Sequence, residues 1–159
     1  AFSSAIPPKQ EYLARIKNTN YLPNVFMAVE ARQKGMDVAV TFDENGFMGE
    51  AAIANLGIVD ARGRLRSPEL RRILPGTTLL AALKLAEERM PVIQAPIHKE
   101  DIATAREMLL FTSATLCVGV THFDGRPVGQ GDYRGRPGPT ALWLKDALLA
   151  QMLAQGTPY

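Results

Sequence analysis

The chain has 159 residues, of which 47% are hydrophobic, and its formal net charge is +2 at pH 7. This length predicts one globular domain with a substantial core, and so small a charge does not indicate a nucleic-acid partner. The single cysteine, Cys117, excludes an intrachain disulfide and favours a reducing compartment, so we expect the cytoplasm, and no apolar run approaches the length of a membrane span.

The N-terminal third predicts a linker, a helix and a hairpin. Residues 1–13 are interrupted by serine and proline and predict a linker. Pro23 suits the first turn of a helix that a glycine ends at position 35. The apolar residues at helical spacing in this helix are Leu22, Val25, Phe26 and Val29. The Asn45-Gly46 pair then predicts a tight hairpin between two strands, over 37–42 and 47–52.

The remaining two thirds alternate short strands with helices. We expect strands over 55–59, 91–97, 108–112 and 118–123 and a short strand ending at Pro68, with helices over 77–89, 99–106 and 140–153. Residues 125–139 are rich in glycine and proline and predict a loop. Strands outnumber helices and many are joined by tight turns. The sequence therefore predicts an α+β domain whose mostly antiparallel, barrel-like sheet is flanked by helices.

One lysine and one glutamate are candidates for a reactive site. Lys17 lies just before the first predicted helix, and Glu50 lies among the apolar residues Met48 and Ala51. A lysine amine can react with a carbonyl group. A carboxylate in apolar surroundings requires a cationic partner, because burial of an unpaired charge is costly.

Three segments together resemble the class IV, pyridoxal-phosphate-dependent aminotransferases. They run from Arg15 to Asn24 around Lys17, from Gly49 to Asn55 around Glu50, and from Ile73 to Thr78 with its Leu-Pro-Gly-Thr-Thr turn. That family includes branched-chain and D-amino-acid aminotransferases and aminodeoxychorismate lyases.

The resemblance implies that pyridoxal 5′-phosphate is the cofactor and assigns a role to each matching residue. Lys17 would hold the cofactor aldehyde as a Schiff base. Glu50 would pair with the protonated pyridine nitrogen, and Leu74 would pack against the ring. The other implied cofactor-binding positions are Tyr21 and Asn55 near the ring, and Thr77, Thr78, Ser113 and Ala114 at the phosphate.

Each of these residues also has an ordinary structural interpretation, which the sequence leaves open. Lys17 alone would be a surface lysine, and Glu50 a solvated carboxylate at a strand end. Tyr21 fits a half-buried tyrosine equally well, and Asn55 fits a turn residue. Thr77 could simply cap the helix that it begins.

The chain also departs from the family pattern. Ala114 and Leu79 stand where many relatives have threonine and arginine, and residues 51–54 lack the hydroxyl groups found there in relatives. Fewer groups can therefore bind the phosphate and the ring. We expect the 159-residue chain alone to bind the cofactor weakly and to show no measurable transaminase activity.

The resemblance also implies a domain organisation. Residues 1–13 would be an interdomain linker and residues 14–159 the large cofactor-binding domain. The small N-terminal domain of the family is absent from this sequence. The resemblance implies a homodimer for the complete protein. We expect the large domain alone to self-associate, because its apolar cleft would be exposed.

The function that the resemblance implies is amino-group transfer from a small or branched amino acid, either an L-branched-chain or a D-amino acid, to a 2-oxoacid. One alternative is a 4-amino-4-deoxychorismate lyase, and another is a non-catalytic fragment that retains only the fold. No metal site is expected, since His98 and His122 have no cysteine or carboxylate at ligand spacing.

Overall fold

The computed structural model describes residues 1–156. The helices are α1 (Glu11–Ala14), α2 (Leu22–Gln33), α3 (Thr77–Ala86), α4 (Asp101–Thr104) and α5 (Pro139–Gln155), with a 3₁₀ turn at Gly131–Tyr133. The strands are β1 (Phe2–Ser3), β2 (Ala39–Phe42), β3 (Met48–Ala51), β4 (Asn55–Val59), β5 (Leu65–Ser67), β6 (Val92–Gln94), β7 (Glu107–Thr112), β8 (Leu116–Gly119), β9 (His122–Phe123) and β10 (Arg126–Pro127). No helix in this part of the chain is long and apolar enough to cross a membrane.

A five-stranded sheet in the order β6-β5-β4-β7-β8 forms the centre of the domain. All pairs are antiparallel except β5 with β6. Every residue of β4 is buried, which fits a short apolar strand covered on both faces. The β4–β7 ladder runs from the Asn55–Phe111 pair to the Val59–Glu107 pair.

A second sheet has the order β1-β2-β3. β2 and β3 form the predicted hairpin, in which Gly46 has a φ of +78° that glycine adopts without strain. β1 pairs in parallel with β2, and Phe2 is buried beside Met27 and Ala31. This strand lies within residues 1–13, which were predicted to be a linker.

The predicted α+β class and its mostly antiparallel pairing are confirmed. Within residues 1–156 the strands form three separate hydrogen-bonded sheets, the smallest being the β9–β10 ribbon, so the barrel-like closure stays a prediction. The single strand predicted over 118–123 is wrong. Val120 donates to Met108 but Val128 donates to Thr121, so the chain leaves β7 there and pairs with the β10 segment instead.

α3 and α5 pack together against the central sheet and bury the main core. Its members include Leu79, Leu83, Phe111, Cys117 and Leu144. Burial and, to a smaller extent, the charge of Glu107 raise the pKa of the Cys117 thiol to about 12. The cysteine is therefore a packing residue, because a thiol with so high a pKa carries almost no reactive thiolate at neutral pH.

α2 presents its apolar stripe outward. Leu22, Val25 and Phe26 are each about half exposed, whereas Met27 and Ala31 are buried on the opposite side. The residues chosen from the helical spacing therefore do not form the buried face of α2.

A buried carboxylate on the central sheet anchors the last helix. Glu107 accepts hydrogen bonds from the backbone N–H groups of Thr140 and Ala141, both at 2.9 Å, in the first turn of α5. Helix N-termini favour such negative charge because their first N–H groups have no partner in the helix. Gly138 is required beside them, since a Cβ there would lie 2.3 Å from Cδ of Glu107.

We expect Glu107→Ala to lower the free energy of unfolding by about 3–5 kcal/mol, because two charge-assisted bonds of roughly 1.5–3 kcal/mol each are lost. Glu107→Gln should lose less, since it retains one acceptor. Urea unfolding followed by the fluorescence of Trp143 measures both. The control is Glu87→Ala at an exposed glutamate, and an equal loss in Glu107→Ala and this control would contradict the anchoring role.

Candidate active site

A cavity of about 530 Å³ lies where four segments meet: the chain before α2, the β3–β4 turn, the turn before α3, and the end of β7. Eight of the nine residues that the sequence analysis predicted for the site line this cavity, all except Ala114. They come from positions up to 96 residues apart, from Lys17 to Ser113. The fold therefore brings them together, although their individual roles remain predictions.

Lys17 and Tyr21 enter the cavity from the segment between α1 and α2. Lys17 lies in irregular backbone and is exposed. Tyr21 is the residue before α2, whose second residue is Pro23, so the helix start fixes where the tyrosine lies. An exposed amine at a cavity wall is accessible to a ligand.

Glu50 is the acidic residue of the cavity. Its Oε2 accepts the N–H of Leu74 at 3.1 Å, and its Oε1 lies 3.4 Å from Nζ of Lys9. Thr41 fixes the backbone of Glu50 by accepting its N–H and donating to its C=O. Lys9 is thus one cationic partner of this carboxylate.

Burial raises the pKa of Glu50 above its ordinary value. Desolvation outweighs three influences that favour the ionised form, namely the hydrogen bond from Leu74, the ion pair with Lys9 and the charge of Lys17. A carboxylate in this state gains most from a further cation, because a second positive partner would restore its ionisation.

The N-terminus of α3 opens into the same cavity. Gly76 precedes the helix and no side chain in the described part of the chain caps it. Thr77 and Thr78, the first residues of α3, line the cavity, and Ser113 lines it from the end of β7. Free N–H groups and three hydroxyl groups together suit an anion such as phosphate. Ala114 is exposed and is not part of the lining.

Asn55 and Leu74 are joined by a hydrogen bond. Nδ2 of Asn55 donates to the C=O of Leu74 at 2.7 Å. Asn55 is also the first residue of β4 and is buried.

Lys9 and Asn24 are cavity residues that were not predicted from the sequence. Lys9 lay in the predicted linker and was therefore not considered. Asn24, on the buried side of α2, donates to the C=O of Ala52 at 2.5 Å, while its Oδ1 is buried with no hydrogen-bond partner among residues 1–156. Asn24 could have been predicted as a site residue because it lies three residues after Tyr21, and residues three apart at a helix are neighbours.

The charge of the lining favours an anionic ligand. Lys9, Arg15 and Lys17 are its basic residues and Glu50 is its acidic residue among those described. An amine, a carboxylate that needs a cation, and an uncapped helix end suit one ligand with a carbonyl group, a basic nitrogen and a phosphate.

Residues 1–123 match the family model described as amino-transferase class IV. The sequence is 32% identical over 157 residues to the chloroplastic D-amino-acid transaminase of Arabidopsis thaliana, covering 94% of this chain and 41% of that protein. It is 31% identical over 129 residues to the branched-chain-amino-acid aminotransferase of Escherichia coli K12, covering 80% of this chain and 40% of the enzyme. The chain thus spans about two fifths of the length of these curated relatives.

Solved structures show the same fold. The branched-chain amino acid aminotransferase from Escherichia coli superposes with a TM-score of 0.80 at 28% identity, covering 94% of this chain and 51% of that one. The PLP-form of the enzyme from Thermobaculum terrenum gives a TM-score of 0.86, covering 98% of this chain and 51% of that one. At 22% identity the second likeness concerns the fold alone.

We expect Glu50→Gln to stabilise the ligand-free protein increasingly as pH rises. The pKa of Glu50 is raised on folding, so between its unfolded and folded values the folded state binds more protons. The stability of the wild type therefore falls through that interval. Glutamine cannot ionise and escapes this loss.

Urea unfolding at pH 4 and pH 8 measures the effect, and the gain of Glu50→Gln over wild type should be larger at pH 8. Glu44→Gln, at an exposed glutamate of the β2–β3 hairpin, is the matched control. A gain that is the same at both pH values would contradict the assignment of a raised pKa to Glu50.

Proposed function

The chain belongs to the class IV amino-transferases, and we propose that it is the cofactor-binding domain of a pyridoxal-phosphate-dependent aminotransferase. The protein would move an amino group from a small or branched amino acid, either L-branched-chain or D, to a 2-oxoacid. One observation carries the proposal: a single cavity contains an exposed amine, a partly buried carboxylate and an uncapped helix N-terminus.

The residues present fit pyridoxal 5′-phosphate. Thr77, Thr78 and Ser113, with the first N–H groups of α3, would hold its phosphate. Glu50 would hold its pyridine nitrogen, because partial burial raises the pKa of that carboxylate and a cation beside it would favour the ionised form. Lys17 would be the amine that reacts with its aldehyde.

When bound, pyridoxal phosphate supplies an aldehyde that condenses with amines and a ring that withdraws electrons from the attached carbon. Lys17 Nζ is the basic atom that would take a proton from the α-carbon of an amino acid and later return one. Glu50 would keep a proton on the nitrogen that it faces, since an ionised carboxylate favours the protonated partner. Leu74 contributes an apolar wall.

The complete protein would include more than this chain. The apolar stripe of α2 is exposed in this chain. Contiguous exposed apolar surface marks interfaces, which supports the proposal that another domain or subunit covers this stripe. We propose that a homodimer, and the small N-terminal domain of the family, complete the cleft that binds the amino acid and the 2-oxoacid. The cytoplasmic location stays a prediction.

We expect pyridoxal phosphate and borohydride to label Lys17. Reduction should fix the cofactor on its amine, and trypsin, blocked at the modified lysine, should release a labelled peptide over residues 16–32 that mass spectrometry identifies. Lys17→Arg should abolish this label, whereas Lys84→Arg, at an exposed lysine of α3, should retain it. A label on Lys9 with Lys17 unmodified would contradict the proposal.

In the complete protein, we expect Glu50→Gln to leave the fold intact and to reduce turnover by about a thousandfold, which is ~4 kcal/mol of barrier at about 1.4 kcal/mol per tenfold. An amide carries no charge with which to keep the opposing nitrogen protonated. A coupled assay with branched-chain and D-amino acids measures turnover, and the fluorescence of Trp143 checks the fold. Turnover close to that of Glu44→Gln would exclude this role for Glu50.

A further inference from the structure

Leu74 is tied to the sheet through both of its backbone polar groups. Its N–H donates to Oε2 of Glu50 at 3.1 Å, and its C=O accepts from Nδ2 of Asn55 at 2.7 Å. Glu50 lies on β3 and Asn55 begins β4. Two strands of the scaffold therefore fix the turn that leads into α3.

Asn55 also lies directly against Gly76, the last residue of that turn. A Cβ on Gly76 would lie 2.2 Å from Oδ1 of Asn55, well inside any van der Waals contact. The backbone of Gly76 has a φ of −66°, which every residue type can adopt. Glycine is thus required here by the proximity of Asn55 and not by its own conformation.

Asn55 has little surface to offer a ligand. It is 7% exposed, one of its amide hydrogens is used on Leu74, and its oxygen lies against Gly76. Thr77 and Thr78, which follow Gly76, line the cavity. Displacement of the turn would therefore move the N–H groups and hydroxyls at the start of α3 together.

We propose that Asn55 is a positioning residue that sets the anion-binding start of α3 by holding Leu74 and confining Gly76. The family resemblance implied that Asn55 binds the cofactor directly. Because Glu50 bonds the other side of Leu74, the same turn fixes the separation between the carboxylate and the N-terminus of α3. In taking the anion to be the cofactor's phosphate, this inference rests on the proposed function.

The test compares two ligands that differ only in the phosphate. Dissociation constants for pyridoxal 5′-phosphate and for pyridoxal are measured by absorbance titration in wild type, Asn55→Ala, Gly76→Ala and the double variant. Each single substitution should weaken binding of the phosphorylated ligand at least tenfold and binding of pyridoxal less than threefold. Equal weakening of both ligands would overturn the proposal.

The double variant tests the contact itself. In the Asn55→Ala background the oxygen that meets the new Cβ is gone, so Gly76→Ala should weaken binding of pyridoxal 5′-phosphate by less than threefold further. Fully additive losses would overturn the proposal. Leu144→Ala, a buried residue of the α3–α5 core, is the control for general destabilisation and should leave the ratio of the two constants unchanged.

A further measurement separates this inference from the proposed function. Inorganic phosphate is titrated while the amide resonances of Gly76, Thr77 and Thr78 are followed by NMR. If wild type does not bind pyridoxal 5′-phosphate, the proposed function fails. Shifts with inorganic phosphate in wild type that are lost in Asn55→Ala would still support the positioning role, and their absence in wild type would overturn it.

Discussion

The five-residue ladder between β4 and β7 is the constraint on which both the core and the candidate site depend. One end pairs Asn55 with Phe111, next to the Thr112-Ser113 wall of the cavity, and the other pairs Val59 with Glu107, which anchors α5. Side chains alternate between the faces of a strand, so a shift of one residue would misplace both ends at once. Binding geometry and global stability are therefore set by one register.

Glu50 is a site residue that lowers the stability of the fold. Its burial raises the carboxyl pKa, and Lys9 and the Leu74 N–H offset only part of that cost. A sequence selected for stability alone would place a neutral residue here. The carboxylate at one wall of the cavity favours a positively charged group, and the start of α3 at the other end favours an anion. A ligand that carries both a cation and an anion would satisfy both walls.

Local chemistry made part of this structure predictable. Asn45-Gly46 located the hairpin and Pro23 located the start of α2, and eight of the nine positions predicted from their motifs line one cavity. Tertiary pairing decided the rest. The strand at Phe2 exists because β2 offers it an edge, and Lys9 reaches Glu50 across 41 residues, so no local pattern indicated either. The exposed stripe of α2 shows that periodicity identifies a face but not what covers it.

The single buried cysteine allows opening of the core to be measured chemically. Cys117 lies on β8, paired with Phe111 and packed in the core shared with α3 and α5. Its thiol is protonated while folded, so an alkylating reagent can react only in molecules whose core has opened. When alkylation of the open form is faster than reclosing, the rate of alkylation equals the rate of opening. The natural cysteine thus reports the rate at which the central sheet opens under native conditions.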